Sequence, residues 1–269
     1  MASDVLVDGE PCGAIPADDR GLAYGDGIFR TVRIARGRPL AWDEHQARLA
    51  YDCAALSLPA PDQNVLERDL RALFPNEQDG ILKIIISRGS GGRGYAPPHD
   101  SARRIVSAHA LPAHAHGEPA ALTLRRSPIA LGCQPRLAGV KHLNRLEQVL
   151  ARVVCDERGD ADAWMADSEG FVVATTMRNL FFVDANDAWH TPAITRAGII
   201  GATRQRLIRA LGRSGITLHE RDIRPDELGQ FGAALACNSV GGVAPVNALD
   251  GRALTYSERA AVRARGIIE

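Results

Sequence analysis

The chain has 269 residues, 45% of them hydrophobic, enough for one large or two modest globular domains. Its 32 basic and 32 acidic residues cancel and are evenly mixed, which excludes the basic stripe of a nucleic-acid binder. No apolar run approaches a bilayer span and no charged start precedes a long apolar stretch, so a cytoplasmic protein away from membranes is expected. The five cysteines include no Cys-x-x-Cys pair, and His114 and His116 have no third ligand nearby. Neither a disulfide framework nor a metal site is expected.

The run "SDVLVDGEPC" predicts a short strand and a turn at Asp8-Gly9. "GIFRTVRIARGRPLAW" reads as two strands joined through Gly37. In "DEHQARLAYDCAALSL", Ala47, Leu49, Ala54 and Leu56 fall at helical spacing, with Asp43 as the expected N-cap. A second helix follows over "APDQNVLERDLRALF", then the strands "GILKIIISRG" and "RRIVSAHAL". Strands around helices make this half an α+β layer. The small, polar, Pro-containing "PAHAHGEP" suits a linker. The expected division is a domain over 1–112, a linker over 113–118 and a second domain over 119–269.

Beyond the linker, "AALTLRRSPI" reads as a strand. Leu143, Leu146, Val149, Leu150, Val153 and Val154 fall on one face of a helix that opens beside Lys141. "ADAWMADSEGFVVATT" and "NLFFVDANDAWHT" read as two hairpins. "GATRQRLIRALGRSG" is a helix ending at Gly215 with basic residues in its last turns, as its dipole favours. "ITLHERDI" and "GAALACNSV" are strands, and "TYSERAAVRARG" is a closing helix.

"RGSGGRGY" places Gly89, Gly91 and Gly94 in a G-x-G-x-x-G pattern after a strand. A dinucleotide site needs a helix N-terminus next, and Pro97-Pro98 prevents one, so a nucleotide reading is rejected. The loop carries Arg88 and Arg93, a residue type that grips carboxylates bidentately. Lys141 is one of only two lysines, Lys83 being the other. A covalently acting lysine must be partly desolvated, and a glycine-flanked position allows close packing. Taken alone, Lys141 also reads as a solvent lysine. Three further stretches offer seats for an anion: Arg48 in "HQARL", Gly201, Ala202 and Thr203 at a helix start, and Ser239 in a glycine-rich turn. Singly, each is an ordinary feature.

In order, "YGDGIFRTVRI", "HQARL", "SRGSGGRGY", "GVKHLNRLEQVLAR", "DSEGFVV", "NLFFV", "GIIGATR" and "CNSVGGVAPV" resemble the branched-chain-aminotransferase-like, fold type IV family of pyridoxal-phosphate enzymes. The resemblance runs from Asp4 to about Val246 and is most specific around the lysine. It implies a two-domain α+β fold, with a smaller N-terminal α/β sandwich, a larger β-barrel-like C-terminal domain with helices, and the cofactor at the domain interface. "SRGSGGRGY" and "KHLNRLEQV" resemble the lyase branch, which converts 4-amino-4-deoxychorismate to 4-aminobenzoate and pyruvate for folate synthesis. An aminotransferase of D- or branched-chain amino acids is the alternative. The resemblance further implies that Lys141 holds pyridoxal 5'-phosphate and moves the substrate proton. Arg48, Gly201, Ala202, Thr203 and Ser239 would seat the phosphate, and Thr31 would donate a proton near the leaving group. Arg30, Arg88, Arg93, Tyr95 and Asn144 would face the substrate, and the family works as a homodimer.

Two positions depart from the family pattern. Ala174 stands where relatives carry the glutamate that protonates the pyridine nitrogen, leaving Thr175 or Thr176 to offer a neutral hydrogen bond. The loss disfavours transamination, which needs a strong electron sink, more than a lyase reaction that forms an aromatic ring. Arg30 replaces a common glutamate. It reads either as an adaptation to a substrate with two carboxylates or as a solvent-facing strand residue.

Overall fold

The computed structural model describes residues 4–11, 13–98 and 102–268; Cys12 and the side chain of His114 lie outside that description. The chain divides into two units, Met1–Ala113 with Val140–Asn144, and His114–Gly139 with Arg145–Glu269. The break falls at the linker, but the segment bearing Lys141 belongs to the first unit, not to the domain expected from residue 119.

The first unit runs β1 (Val5–Val7), β2 (Glu10–Pro11), α1 (Arg20–Tyr24), β3 (Gly27–Ala35), β4 (Arg38–Pro39), α2 (Trp42–Ala55), α3 (Gln63–Leu73), β5 (Gly80–Ser87) and β6 (Arg103–His109). Its sheet has the order β2-β1-β6-β5-β3-β4. Strand alternation sends Ile28, Val32, Ile34, Leu82, Ile84, Ile86 and Val106 to one face. Leu49 and Cys53 of α2 and Leu66 and Leu70 of α3 close over that face. The helix α3 starts on the side chain of Asp62, which accepts from the Asn64 amide. By contrast, α2 is capped by Ala41 in the left-handed region, and the expected cap, Asp43, lies in the first turn. The short α1 has no counterpart in the sequence reading.

Because β4 pairs only with Ile34 and Ala35, the Gly27–Phe29 end of β3 is left for another partner. Val140–Asn144 takes it. The Leu143 amide donates to Gly27 O at 2.9 Å and the Phe29 amide to Lys141 O at 2.9 Å. Lys141 thus sits on an extended segment, five residues before a helix rather than at its mouth.

The second unit runs β7 (Leu122–Arg126), α4 (Leu146–Arg158), β8 (Asp162–Ala166), β9 (Val172–Thr175), β10 (Asn179–Val183), β11 (Trp189–Pro192), α5 (Ala202–Arg213), β12 (Leu218–Arg221), β13 (Ala233–Asn238), β14 (Gly242–Leu249), β15 (Arg252–Ala253) and α6 (Ser257–Ile268). The order β10-β13-β14-β7-β8-β9 returns on itself, since Ala174 of β9 pairs with Asn179 of β10. Six strands therefore close a barrel, which leaves no free edge among them. Leu124, Trp164, Val172, Leu180, Phe182, Ala234 and Val246 form one core. Leu207 and Leu211 of α5, with Ala261 and Ala264 of α6, cover Phe181, Leu235 and Cys237 in a second. Strands β8 to β11 are buried at every position, with the polar Asp162, Asn179, His190 and Thr191 buried among the apolar residues.

Helix α4 departs from expectation. Only Ala151 and Cys155 are buried, while Leu146, Val149, Leu150 and Val153 stand 75%, 53%, 53% and 49% exposed. The apolar face read from the sequence exists but is not core.

Candidate functional site

Chemistry-bearing residues gather at two places, one in each unit. In the first, Phe29 and Thr31 project from the face of β3 opposite the helices, where every second residue is only half-buried. The Lys141 ammonium lies 4.1 Å from the Phe29 ring centroid. The other lysine of the chain, Lys83, stands across from Thr31 on β5, with its ammonium 6.0 Å from the same ring. A ring face attracts cations while excluding water from one side of them. A base, a hydroxyl and a second cation are thus set on one sheet face. No role for Lys83 is read from the sequence, and its rarity in an arginine-rich chain was the available signal.

At the edge of the same sheet, Asp52 is fully buried on α2. One carboxylate oxygen is ion-paired with Arg30, and the other accepts from Arg48 at 3.2 Å, one helical turn earlier. The Lys141 backbone amide also donates to this carboxylate. Burial pushes Asp52 above the ordinary carboxylate range, and Arg30 and Arg48 pull against that rise. Burial likewise lowers Arg30, and Asp52 opposes the change. Arg30, 2% exposed and turned to the helix side of β3, is neither solvent-facing nor beside Thr31, which points the other way. Asp52 was missed in the sequence because nothing in "LAYDCAAL" separates a buried acid from a surface one.

The glycine-rich loop is fixed by two other arginines. Arg88 donates to both oxygens of Asp26 and to the carbonyls of Leu56 and Ser57, at 2.6 to 3.3 Å. Its guanidinium is consumed by the fold and does not reach for a ligand. Arg20, 4% exposed, bonds Asp26 at 2.9 Å and the carbonyls of Gly94 and Tyr95 at 2.9 and 3.1 Å. Arg93 and Tyr95 are displayed at the surface, Tyr95 being 85% exposed with its ring beside Tyr24. No helix follows within residues 88–98, in line with rejection of the dinucleotide reading. Asn144 packs its amide over Gly25, whose φ of 64° ends α1 and whose lack of a side chain admits the contact.

In the second unit, α5 opens at Gly201 without any side-chain cap. The Gly201 amide is bound by Asn179 Oδ1 at 3.1 Å, in the space a β-carbon would fill. The amides of Ala202 and Thr203 head the helix dipole, an arrangement that favours an anion. Arg204, a cation in this first turn, is turned away and bonds Glu220 at 2.8 Å. Ser239 lies in the β13–β14 turn, where Asn238 Oδ1 accepts from the amides of Val240 and Gly241. Arg178 lies against Gly241, and a side chain there would collide with its guanidinium.

Ala174 is buried in β9, and no acid takes its place. The hydroxyls of Thr175 and Thr176 donate to Asp162 at 2.7 and 2.6 Å. Their protons are committed there, which corrects the expectation that one of them donates to a ligand. The second unit thus offers an uncapped helix start and a serine turn, features that suit an anion, and the first offers an arginine on a buried acid and an amine on an aromatic ring.

The amino-transferase class IV family model matches residues 27–249. An aminodeoxychorismate lyase from Vibrio harveyi is 36% identical over 246 residues, 90% of each chain. A bifunctional aminodeoxychorismate lyase / D-amino acid transaminase from Mycobacterium tuberculosis is 26% identical, over 94% of this chain and 91% of that protein. The crystal structure of 4-amino-4-deoxychorismate lyase from Pseudomonas aeruginosa superimposes with a TM-score of 0.87 at 36% identity, covering 97% of this chain and 98% of the other.

Proposed function

The chain belongs to the class IV amino-transferase family, and from that premise we propose that it is a lyase converting 4-amino-4-deoxychorismate to 4-aminobenzoate and pyruvate. The observation that carries the reading is the Lys141 ammonium held on Phe29, with Thr31 two residues along the same strand face. Pyridoxal phosphate, when bound, supplies an electrophilic aldehyde for an amine and a ring that withdraws electrons. Lys141 is the amine that bonds it. Arg48, the amides of Ala202 and Thr203, and Ser239 are the proposed phosphate seats, while the Gly201 amide, expected among them, is taken by Asn179. With the substrate seated, Lys141 would take the proton from the ring carbon bearing the substrate amine, as general base. Thr31 donates toward the ether oxygen as the carbon–oxygen bond breaks. Enolpyruvate leaves, becomes pyruvate on protonation, and the remaining ring is aromatic. Aromatisation drives the step, so a missing acid at Ala174 is tolerated.

Arg93 and Tyr95 on the displayed loop, with Lys83 on the sheet face, are the proposed contacts for the substrate carboxylates. Arg30 and Arg88 are better read as framework, since Asp52 and Asp26 hold them. The proposed homodimer is supported by the exposed apolar face of α4, a stripe too large to be indifferent to water. Work in the cytoplasm suits Cys53, Cys133, Cys155 and Cys237, all free thiols. Among the described residues no helix is long and apolar enough to cross a membrane.

The test is pyruvate release from enzymatically generated aminodeoxychorismate by the cofactor-loaded protein; no release sinks the proposal. A second reading, D-amino-acid transamination, is favoured by the bifunctional relative. It predicts that D-alanine converts the bound cofactor to its amine form, a spectral change the lyase reading does not require.

A further inference from the structure

The buried cluster around Asp52 goes beyond the seats just assigned. Three groups from three separate stretches meet one carboxylate: Arg30 from β3, Arg48 from the preceding turn of α2, and the backbone amide of Lys141 from the segment laid against β3. The carboxylate is fully buried, Arg30 is 2% exposed and Arg48 is 11% exposed. A charge in such a place is retained only with partners of opposite sign and with its lone pairs satisfied. Asp52 has both. One oxygen goes to each guanidinium, and the amide adds a further donor.

We infer that Asp52 is a positioning residue, which sets the phosphate-seating arginine and the backbone of the reactive lysine in one fixed relation. The inference rests on the reading of Lys141 and Arg48 given above. The carboxylate itself touches neither substrate nor cofactor. It acts through the two residues that do. Arg48 has a long side chain, and an unheld guanidinium samples many rotamers before meeting an anion; Asp52 removes that search. The hydrogen bond donated by its backbone N–H holds the Lys141 main chain, so the direction in which its side chain leaves the strand is set by the same group. Arg30 is the second guanidinium on that carboxylate and opposes the rise that burial imposes on it, which gives this arginine a task that neither sequence reading foresaw. The carboxylate of Asp52 and the guanidinium of Arg30 then work as one unit.

The test uses the full chain stripped of cofactor and titrated with pyridoxal phosphate. Loading of the unaltered protein, with borohydride-fixed mass on Lys141, checks the underlying reading separately; if none occurs, that reading fails and this one with it. In a chain that loads, Arg30→Met/Asp52→Leu removes both charges together, a replacement that commonly leaves stability unchanged or raised. Expected are a melting temperature near that of the parent, a cofactor dissociation constant raised about tenfold or more, and a displaced pH midpoint of the visible band. Asp52→Asn is the second variant. It keeps the size and loses the charge, and the same rise and displacement are expected. If either folded variant binds with the parent's affinity and midpoint, Asp52 is packing alone and the inference is overturned. If neither folds, the role of Asp52 is structural, which also overturns it.

Discussion

The sheet of the first unit and the barrel of the second bury their residues by different rules. In β3 and β5 alternate residues are core and the rest half-buried, so the strands carry Phe29, Thr31 and Lys83 on a face outside the core. In β8 to β11 every residue is buried, because one side faces the strands' shared interior and the other a layer of helices. Buried charge does not separate them: the first unit holds Arg30, Arg88 and Asp52 in paired form, and the second holds Asp162, Asp167 and Arg204, each with a partner. A half-open sheet can present reactive groups at little cost to its own core. A closed barrel is a support, and the proposed anion seat lies at a helix start and a turn outside the strands.

Replacing Lys141 with alanine should produce the largest effect. Pyruvate release and the visible absorbance of the loaded protein are both expected to vanish, with the melting temperature within a few degrees of the parent. A surviving visible band would refute the assignment. Next comes the barrel core. Phe182 is fully buried and stacked on Phe231 at 4.9 Å, so Phe182→Ala should cost about 3–5 kcal/mol by urea denaturation. Removing the half-buried Thr31 hydroxyl by Thr31→Val should cost stability far less. It should slow pyruvate release about a hundredfold or more if that hydroxyl is the proton donor. Equal stability losses at the two positions would erase the contrast between sheet and barrel.

Thiol chemistry samples both cores more gently. Burial pushes Cys53 in the first unit and Cys237 in the second up to about 12. Both should resist a disulfide reagent at pH 8 in folded protein and react at once in urea. The smallest effect is at the barrel's flank, where the hydrogen bond from His190, 2.9 Å away, holds Asp184 below its ordinary value. A depressed carboxylate stabilises the fold above its unfolded pKa and loses that contribution as pH falls through the folded one. Asp184→Asn should therefore cost at most about 1 kcal/mol at neutral pH, since Asp184 is 25% exposed, and less still once the pH has fallen through the folded pKa. A cost that grows in acid would contradict the sign.

Much of this was legible without coordinates. Alternation in "GIFRTVRIA" and unbroken runs such as "NLFFV" follow from how many faces of a strand are covered, which composition along the strand records directly. The turn at Gly37 and the helix end at Gly215 are local too. Helix α4 misled because periodicity tells that a face is apolar and not what lies against it. Lys141 was tied to the wrong element for a similar reason: pairing with β3 is a contact across more than a hundred residues.

The sequence by itself determined the family and most of the strands and helices, and it singled out Lys141 as the candidate reactive lysine, since these depend on neighbours in the chain or on motifs kept in order. Only the tertiary structure decided that Arg30 and Arg88 are framework, that Asp52 joins Arg48 to Lys141, and that both lysines lie against one aromatic ring. A charged side chain carries no local mark of its partner. Burial and pairing are set by whichever distant residues fold against it, and that choice is made in three dimensions.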